Sequence, residues 1–144
     1  MHNYEEFSSL MANKIIRKTL KHKRLYFEVD NKDILEVAEH LFKNLGCRLS
    51  TATAQESYRG IDVVYHFSLD KTGDYYCPRV VMTDKQNPRM NSITPIVKGA
   101  EWIEREMAEM FGIVFEGHPN LEPLLTGNHP ENLTKPLLHR RNNE

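Results

Sequence analysis

The chain has 144 residues, 40% of them hydrophobic and 27% charged, with a formal net charge of −1. That length suits one domain with a sizeable core, and no apolar run approaches the ~18–20 residues that span a bilayer. A charge this close to zero makes no global case for nucleic acid. The opening MHNYEEFSSLMANKIIRK lacks the positive start and apolar block of a secretory signal, so a cytoplasmic protein is expected.

Residues 4–20 read as a first helix, with Phe7, Leu10, Met11, Ile15 and Leu20 roughly on one side, and residues 1–23 as an N-terminal helical element. Lys14, Arg17, Lys18, Lys21, Lys23 and Arg24 follow there without an intervening acid. Such a run is either a solvated helix end and linker or a patch facing anionic headgroups or an acidic partner. Residues 24–29 are a short β-type run. A second helix follows: Asp30 or Asn31 can cap it, Asp33 lies in its first turn, and Gly46 comes after its last. Ile34, Val37, Ala38, Leu41, Phe42 and Leu45 recur at three- and four-residue spacing, a single buried stripe.

Residues 47–54 predict a strand and residues 55–60 a break. Ile61, Val63, Tyr65 and Phe67 then alternate with Asp62, Val64, His66 and Ser68, the period of a half-buried strand. With the turn-rich residues 70–74, residues 61–82 form a hairpin. Residues 83–90 are a loop, and Ser92-Ile93-Thr94 adds a brief extended segment before Pro95. This order predicts an α+β domain over residues 1–125: two layers, with helices on one face of a mixed, mainly antiparallel sheet. Residues 126–144 change composition and are expected to be an extended tail.

Cys47 and Cys77 stand alone, with no Cys-x-x-Cys, and the histidines form no His-x-x-x-His pair. Neither a zinc nor an iron–sulfur ligand set can be assembled, so no cofactor is expected in this chain.

The densest information lies in residues 99–125, GAEWIEREMAEMFGIVFEGHPNLEPLL. Residues 99–110 predict a helix that packs Ala100, Ile103, Met107, Met110 and Phe111 on the sheet, with Glu101, Arg105 and Glu109 opposite. Glu101 and Arg105 form an i,i+4 pair worth ~0.3–0.5 kcal/mol if exposed. Glu104 and Glu106 fall at the two flanks of the stripe. Each either keeps solvent and backbone partners or is an anchored carboxylate reaching an arginine or amide across a subunit interface. No nucleophile stands beside these glutamates, and a catalytic role is declined. Trp102 lies outside the stripe and reads as an interface anchor. Gly112 supplies the left-handed stop, residues 113–115 a short strand, and Gly117-His118-Pro119 a turn. Pro119 holds His118 extended, where it reads as bonded to local backbone rather than as a metal ligand.

Glu104-Arg105-Glu106, Met110-Phe111-Gly112-Ile113 and Gly117-His118-Pro119, with Asn91-Ser92-Ile93-Thr94 and Ala100-Glu101-Trp102 upstream, resemble the thirty-kilodalton subunit family of bacterial respiratory complex I and related membrane hydrogenases. The chain departs from that pattern at Glu109, usually aspartate, and at Glu122-Pro123, usually paired arginines. The longer family tail is not recognisable; residues 134–138 are at best a remnant. The resemblance implies a cofactor-free connecting subunit of a peripheral arm, on the cytoplasmic side of the membrane. Its compact form points to an energy-converting [NiFe] hydrogenase, with the thirty-kilodalton subunit of an NADH:quinone oxidoreductase (complex I) as the alternative. Partners implied are the large catalytic or quinone-site subunit and iron–sulfur subunits, which would carry the [NiFe] centre and clusters, with membrane contact only through them. The interface would use Trp102, Glu104, Arg105, Glu106, Phe111, Gly112, His118 and Pro119. A stand-alone small enzyme or a nucleic-acid module using the basic run are the more distant readings, and neither accounts for residues 99–125.

Overall fold

The computed structural model describes residues 3–119. The expected tail over residues 126–144 lies outside them. Helix α1 (Asn3–Leu10) leads into strands β1 (Ile15–Lys21) and β2 (Arg24–Val29), then helix α2 (Ile34–Glu39). A three-strand meander follows, β3 (Arg48–Ser57), β4 (Gly60–Leu69) and β5 (Asp74–Met82). The described chain closes with β6 (Arg89–Asn91), helix α3 (Glu101–Phe111) and β7 (Val114–Glu116). The main sheet has the order β1-β2-β5-β4-β3; β2 and β5 run parallel and the other neighbours antiparallel. This is the two-layer α+β arrangement read from the sequence.

The N-terminal reading needs correction. The helix stops at Leu10, and Ile15–Lys21 is a strand rather than its continuation. Ile15, Ile16 and Thr19 are β-branched and fit a pleated surface better than a helix. Pairing with β2 over Arg17↔Glu28 to Lys21↔Arg24 settles the matter. Of the expected apolar side, Phe7 and Met11 are buried, whereas Leu10 and Leu20 are exposed. His22 and Lys23 turn the hairpin with φ of 39° and 66°. The turn between β4 and β5 braces them: Lys23 Nζ donates to the Thr72 carbonyl at 2.6 Å, and Tyr75 N donates to the Lys23 carbonyl at 2.8 Å.

In α2 the stripe holds for Ile34, Val37, Ala38 and Leu41, all fully buried. Residues His40–Asn44 form a wider π-helical turn, which rotates the later positions and leaves Phe42 38% exposed. Neither Asp30 nor Asp33 caps the helix with its side chain. Asn31 instead accepts a hydrogen bond from Asn91 N at 2.6 Å, tying this corner to β6. The break expected at residues 55–60 shrinks to a two-residue turn between Ser57 and Gly60. Gly60 is required there, because a Cβ on it would sit 2.0 Å from the Met82 carbonyl oxygen.

One sheet face carries Ile61, Val63, Tyr65, Phe67, Tyr76 and Val80 into the core against the helices. Phe7 closes that core over Phe27 and Tyr76, each 5.1 Å away between ring centroids. Every such fully buried side chain stabilises the fold by about 1.5–3 kcal/mol relative to exposure. The opposite face has no described helix, yet Asp62, Val64 and Cys77 are buried there too. On that face Arg24 lies above the Tyr75 ring at 4.4 Å, Cys77 Sγ meets His66 Nδ1 at 3.5 Å, and Ser57 Oγ donates to Asp62 Oδ1 at 3.2 Å.

Candidate functional site

The motif region is built around α3. A 3-10 turn, Lys98–Ala100, precedes the helix. The buried stripe is Ala100, Glu104, Met107 and Phe111, at spacings of four, three and four. Glu104 is therefore central to the stripe rather than at its flank, and it is 0% exposed. Met110, expected inside, is 49% exposed.

A carboxylate taken out of water needs hydrogen-bond donors, and Glu104 has four. Its Oε2 accepts from the Tyr65 hydroxyl at 2.7 Å and from Ile93 N at 3.0 Å. Its Oε1 accepts from Ser92 Oγ at 2.5 Å and Thr94 Oγ1 at 2.8 Å. Thr94 N in turn donates to Ser92 Oγ at 3.0 Å, orienting that hydroxyl toward the carboxylate. Burial, together with the neighbouring Glu104 charge, pushes the Tyr65 hydroxyl well above its ordinary pKa, so it stays a donor. Glu104 thus pins α3 to β4 and to the loop at residues 92–94. It is enclosed and saturated by acceptor duty, which suits a strut and not acid–base work on a substrate.

The outer surface of the helix is different. Trp102 is 57% exposed; its Nε1 donates to Glu106 Oε2 at 3.2 Å, and the Arg105 guanidinium lies 5.7 Å from its ring centroid. No Glu101–Arg105 ion pair forms: the guanidinium takes the tryptophan face instead. Trp102, Arg105, Glu106 and Met110 make one aromatic, charged and apolar surface above the Glu104 anchor.

The C-terminal stop is as the sequence predicts. Gly112 takes φ 72°, ψ 24°, and its N–H donates to the Ala108 carbonyl at 2.8 Å. The chain then enters β7, which pairs in parallel with β6 and buries Met90 opposite Phe115. Arg89 and Glu116 close this ladder at 2.7 Å. His118 N–H donates to the local Phe115 carbonyl at 3.2 Å, and its ring Nε2 reaches the Glu101 carbonyl oxygen at 3.0 Å, so this histidine also ties the turn to the start of α3. Thr94, Pro95, Lys98, Glu101, Gly117 and Pro119 line a shallow cleft beside it. Of the expected interface residues, Glu104 and Phe111 belong to this chain's own interior, while Trp102, Glu106 and Pro119 are exposed.

Sequence reasoning misses the partners of Glu104: Tyr65 lies 39 residues away, and no local spacing marks it. A signal for the strut exists, since a glutamate occupies the centre of an otherwise apolar 4-3-4 stripe. Cys47 and Cys77 lie on opposite sides of the sheet; burial pushes their thiols up to about 12 and about 11. Among the described residues no helix is long and apolar enough to cross a membrane.

Comparison with known proteins places this architecture. The C-type subunit of NADH-quinone oxidoreductase from Roseobacter denitrificans is 32% identical over 133 residues, 85% of this chain and 65% of that protein. Its counterpart from Xanthobacter autotrophicus is 32% identical over 127 residues, 83% of this chain and 59% of that protein. The chain thus spans less than two thirds of the length of these curated relatives. Among solved structures, a trypsin-resistant fragment (1-134) of Nqo5 superposes with a TM-score of 0.65 at 26% identity, covering 83% of this chain and 96% of that one. A chain of the membrane-bound sulfane sulfur reductase, an archaeal respiratory membrane complex, shares the fold at a TM-score of 0.72 and 20% identity, over 99% of this chain and 93% of that one. The sequence pattern of the 30 Kd subunit of respiratory-chain NADH dehydrogenase matches residues 27–142. The chain belongs to that family of thirty-kilodalton subunits.

Proposed function

We propose that this chain is a connecting subunit in the peripheral arm of a complex I-like redox complex, seated on the large subunit through the outer face of α3. The observation that carries the reading is the contrast across one helix. Glu104 locks the inner side with four hydrogen bonds, while Trp102 stands 57% exposed beside Arg105 and Glu106 on the outer side. Tryptophan and arginine on a rigid element are the usual anchors of protein interfaces. In this reading the chain holds geometry: it fixes neighbouring cluster-bearing subunits in register, on the cytoplasmic side of the membrane, and brings no cofactor of its own.

Two kinds of complex fit. The 32% identity to an NADH-quinone oxidoreductase subunit favours a quinone oxidoreductase. The match to a sulfane sulfur reductase chain is a likeness of fold alone, and an energy-converting [NiFe] hydrogenase is kept as the second reading. Purification of the native complex decides between them, by assay of hydrogen evolution against NADH–quinone turnover. Docking is tested by Trp102→Ala: association with the large subunit, read by co-purification, should weaken by about 2 kcal/mol, with circular dichroism unchanged. Normal assembly of that variant would move the docking surface elsewhere.

A further inference from the structure

The basic run of the N-terminal segment is not used by the α3 surface, and the fold gives it a definite place. Strand register puts Arg17 and Lys21 of β1, Arg24 of β2 and Arg79 of β5 on the face of the sheet that carries no described helix. Arg59 reaches the same face from the β3–β4 turn, where it meets Glu28. Among the described residues two carboxylates share this area, Glu28 and Asp62, and both are buried. Positive charge is therefore in excess on this part of the face.

These cations are held in place. Arg59 grips Glu28 with two bonds, Nη1 to Oε1 at 3.0 Å and Nη2 to Oε2 at 2.7 Å, and Arg17 Nε approaches the same carboxylate at 3.2 Å. Arg24 stacks on Tyr75 at 4.4 Å, and Tyr26 lies half-buried beside Thr19 on the next strand. Arg17 and Lys21 on the edge strand β1, and Arg24 beside Lys21 on β2, remain exposed.

From this we infer that the β1–β2–β5 face is a second docking surface, whose occupant is an acidic polypeptide segment of a neighbouring subunit. Charge complementarity selects an anionic partner. The exposed guanidiniums of Arg17, set by Glu28, and of Arg24, set by its stack on Tyr75, together with the half-buried tyrosines, suit the directional carboxylates of a protein. Attraction to lipid headgroups, by contrast, depends on net basic charge near the surface and needs no such pre-set geometry. The inference rests on the proposed place of the chain in an assembly; it does not depend on α3 being the other contact.

The test is carbodiimide cross-linking of the complex purified from its native membranes, which joins lysine amines to carboxylates at zero length, read by mass spectrometry. Lys21 should cross-link to aspartate or glutamate of another subunit. The double variant Lys21→Glu, Arg24→Glu should be retained in the complex about tenfold less well as salt is raised, with an unchanged melting temperature. If that variant does not fold, Lys21→Gln carries the same measurement with a smaller loss. Lys21 cross-links confined to this chain, or full retention of the folded charge variant, overturn the proposal. So does co-sedimentation of the isolated chain with phosphatidylglycerol vesicles that the charge variant abolishes while its retention in the complex is normal. Failure of Trp102→Ala to disturb assembly leaves this result standing, so the two surfaces are judged separately.

Discussion

The carboxylate of Glu104 and the hydroxyl of Tyr65 meet at 2.7 Å in the interior, joining α3 to the second strand of the meander across 39 residues of chain. With Ser92, Ile93 and Thr94 they form a buried polar knot under the helix that presents Trp102.

Removing that carboxylate should be costly. Glu104→Ala leaves four donors without an acceptor, and a loss of about 3–5 kcal/mol is expected from urea denaturation of the purified protein. Glu104→Gln keeps the shape but turns an amide NH2 toward donors, for about 2 kcal/mol. A variant as stable as the parent would mean that water or a rearranged loop takes over these bonds.

A second polar anchor predicts a pH dependence. The Arg59 guanidinium, with lesser help from Arg17 and Arg79, holds the Glu28 carboxyl below its ordinary value of 4.5. A carboxyl lowered in the folded state stabilises fully above its unfolded value and loses that contribution as pH falls through the folded one. Glu28→Gln should therefore cost about 1–2 kcal/mol at neutral pH. The gap between parent and variant should narrow as pH drops below about 4.5 and vanish below the folded value. A gap constant with pH, followed by thermal melting, would show that the pair does not contribute.

Gly60 is predicted to be intolerant. Alanine there places its Cβ on the Met82 carbonyl oxygen, 2.0 Å away, and backbone must move. A loss of about 2–4 kcal/mol is expected, of the size seen for overpacking combined with backbone strain. Urea denaturation of Gly60→Ala measures it, and a neutral result would place the β3–β4 turn farther from β5.

The two thiols should be inert in the folded protein. With burial pushing Cys47 up to about 12 and Cys77 up to about 11, little thiolate is present near neutral pH. Iodoacetamide should label both in urea and neither without it. Rapid labelling of the native protein would reveal an opening of the sheet.

What the sequence makes legible is what repeats locally. The alternation through Ile61, Val63, Tyr65 and Phe67 marks one face of a strand, and all four are fully buried. Ile34 to Leu41 and the Gly112 stop are equally plain, because helix period and a left-handed terminator are properties of neighbours in the chain. The N-terminal error has the opposite cause. Apolar spacing from Phe7 to Ile15 imitates a helix, and only pairing with β2 turns Ile15–Lys21 into a strand. Glu104 looks like a flank residue from the sequence because Ile103 and Met110, counted as inward, draw the centre of the expected stripe to one side; Met110 is in fact exposed, and the stripe runs through Glu104. The residues that satisfy it come from distant strands and loops.

The parallel pairing of β2 with β5 has a consequence for how the molecule is made. β1–β2 is a hairpin and β3–β4–β5 a meander, each able to form from contacts close in sequence. The seam between them brings Arg24 to Tyr75 and Glu28 to Arg79. That junction closes a loop spanning α2 and two strands, and its entropic cost falls before any of its contacts is gained. Assembly of the sheet should therefore be limited by the zipping of this central seam. Until it closes, the cationic hairpin and the apolar meander exist as separate pieces with open inner edges.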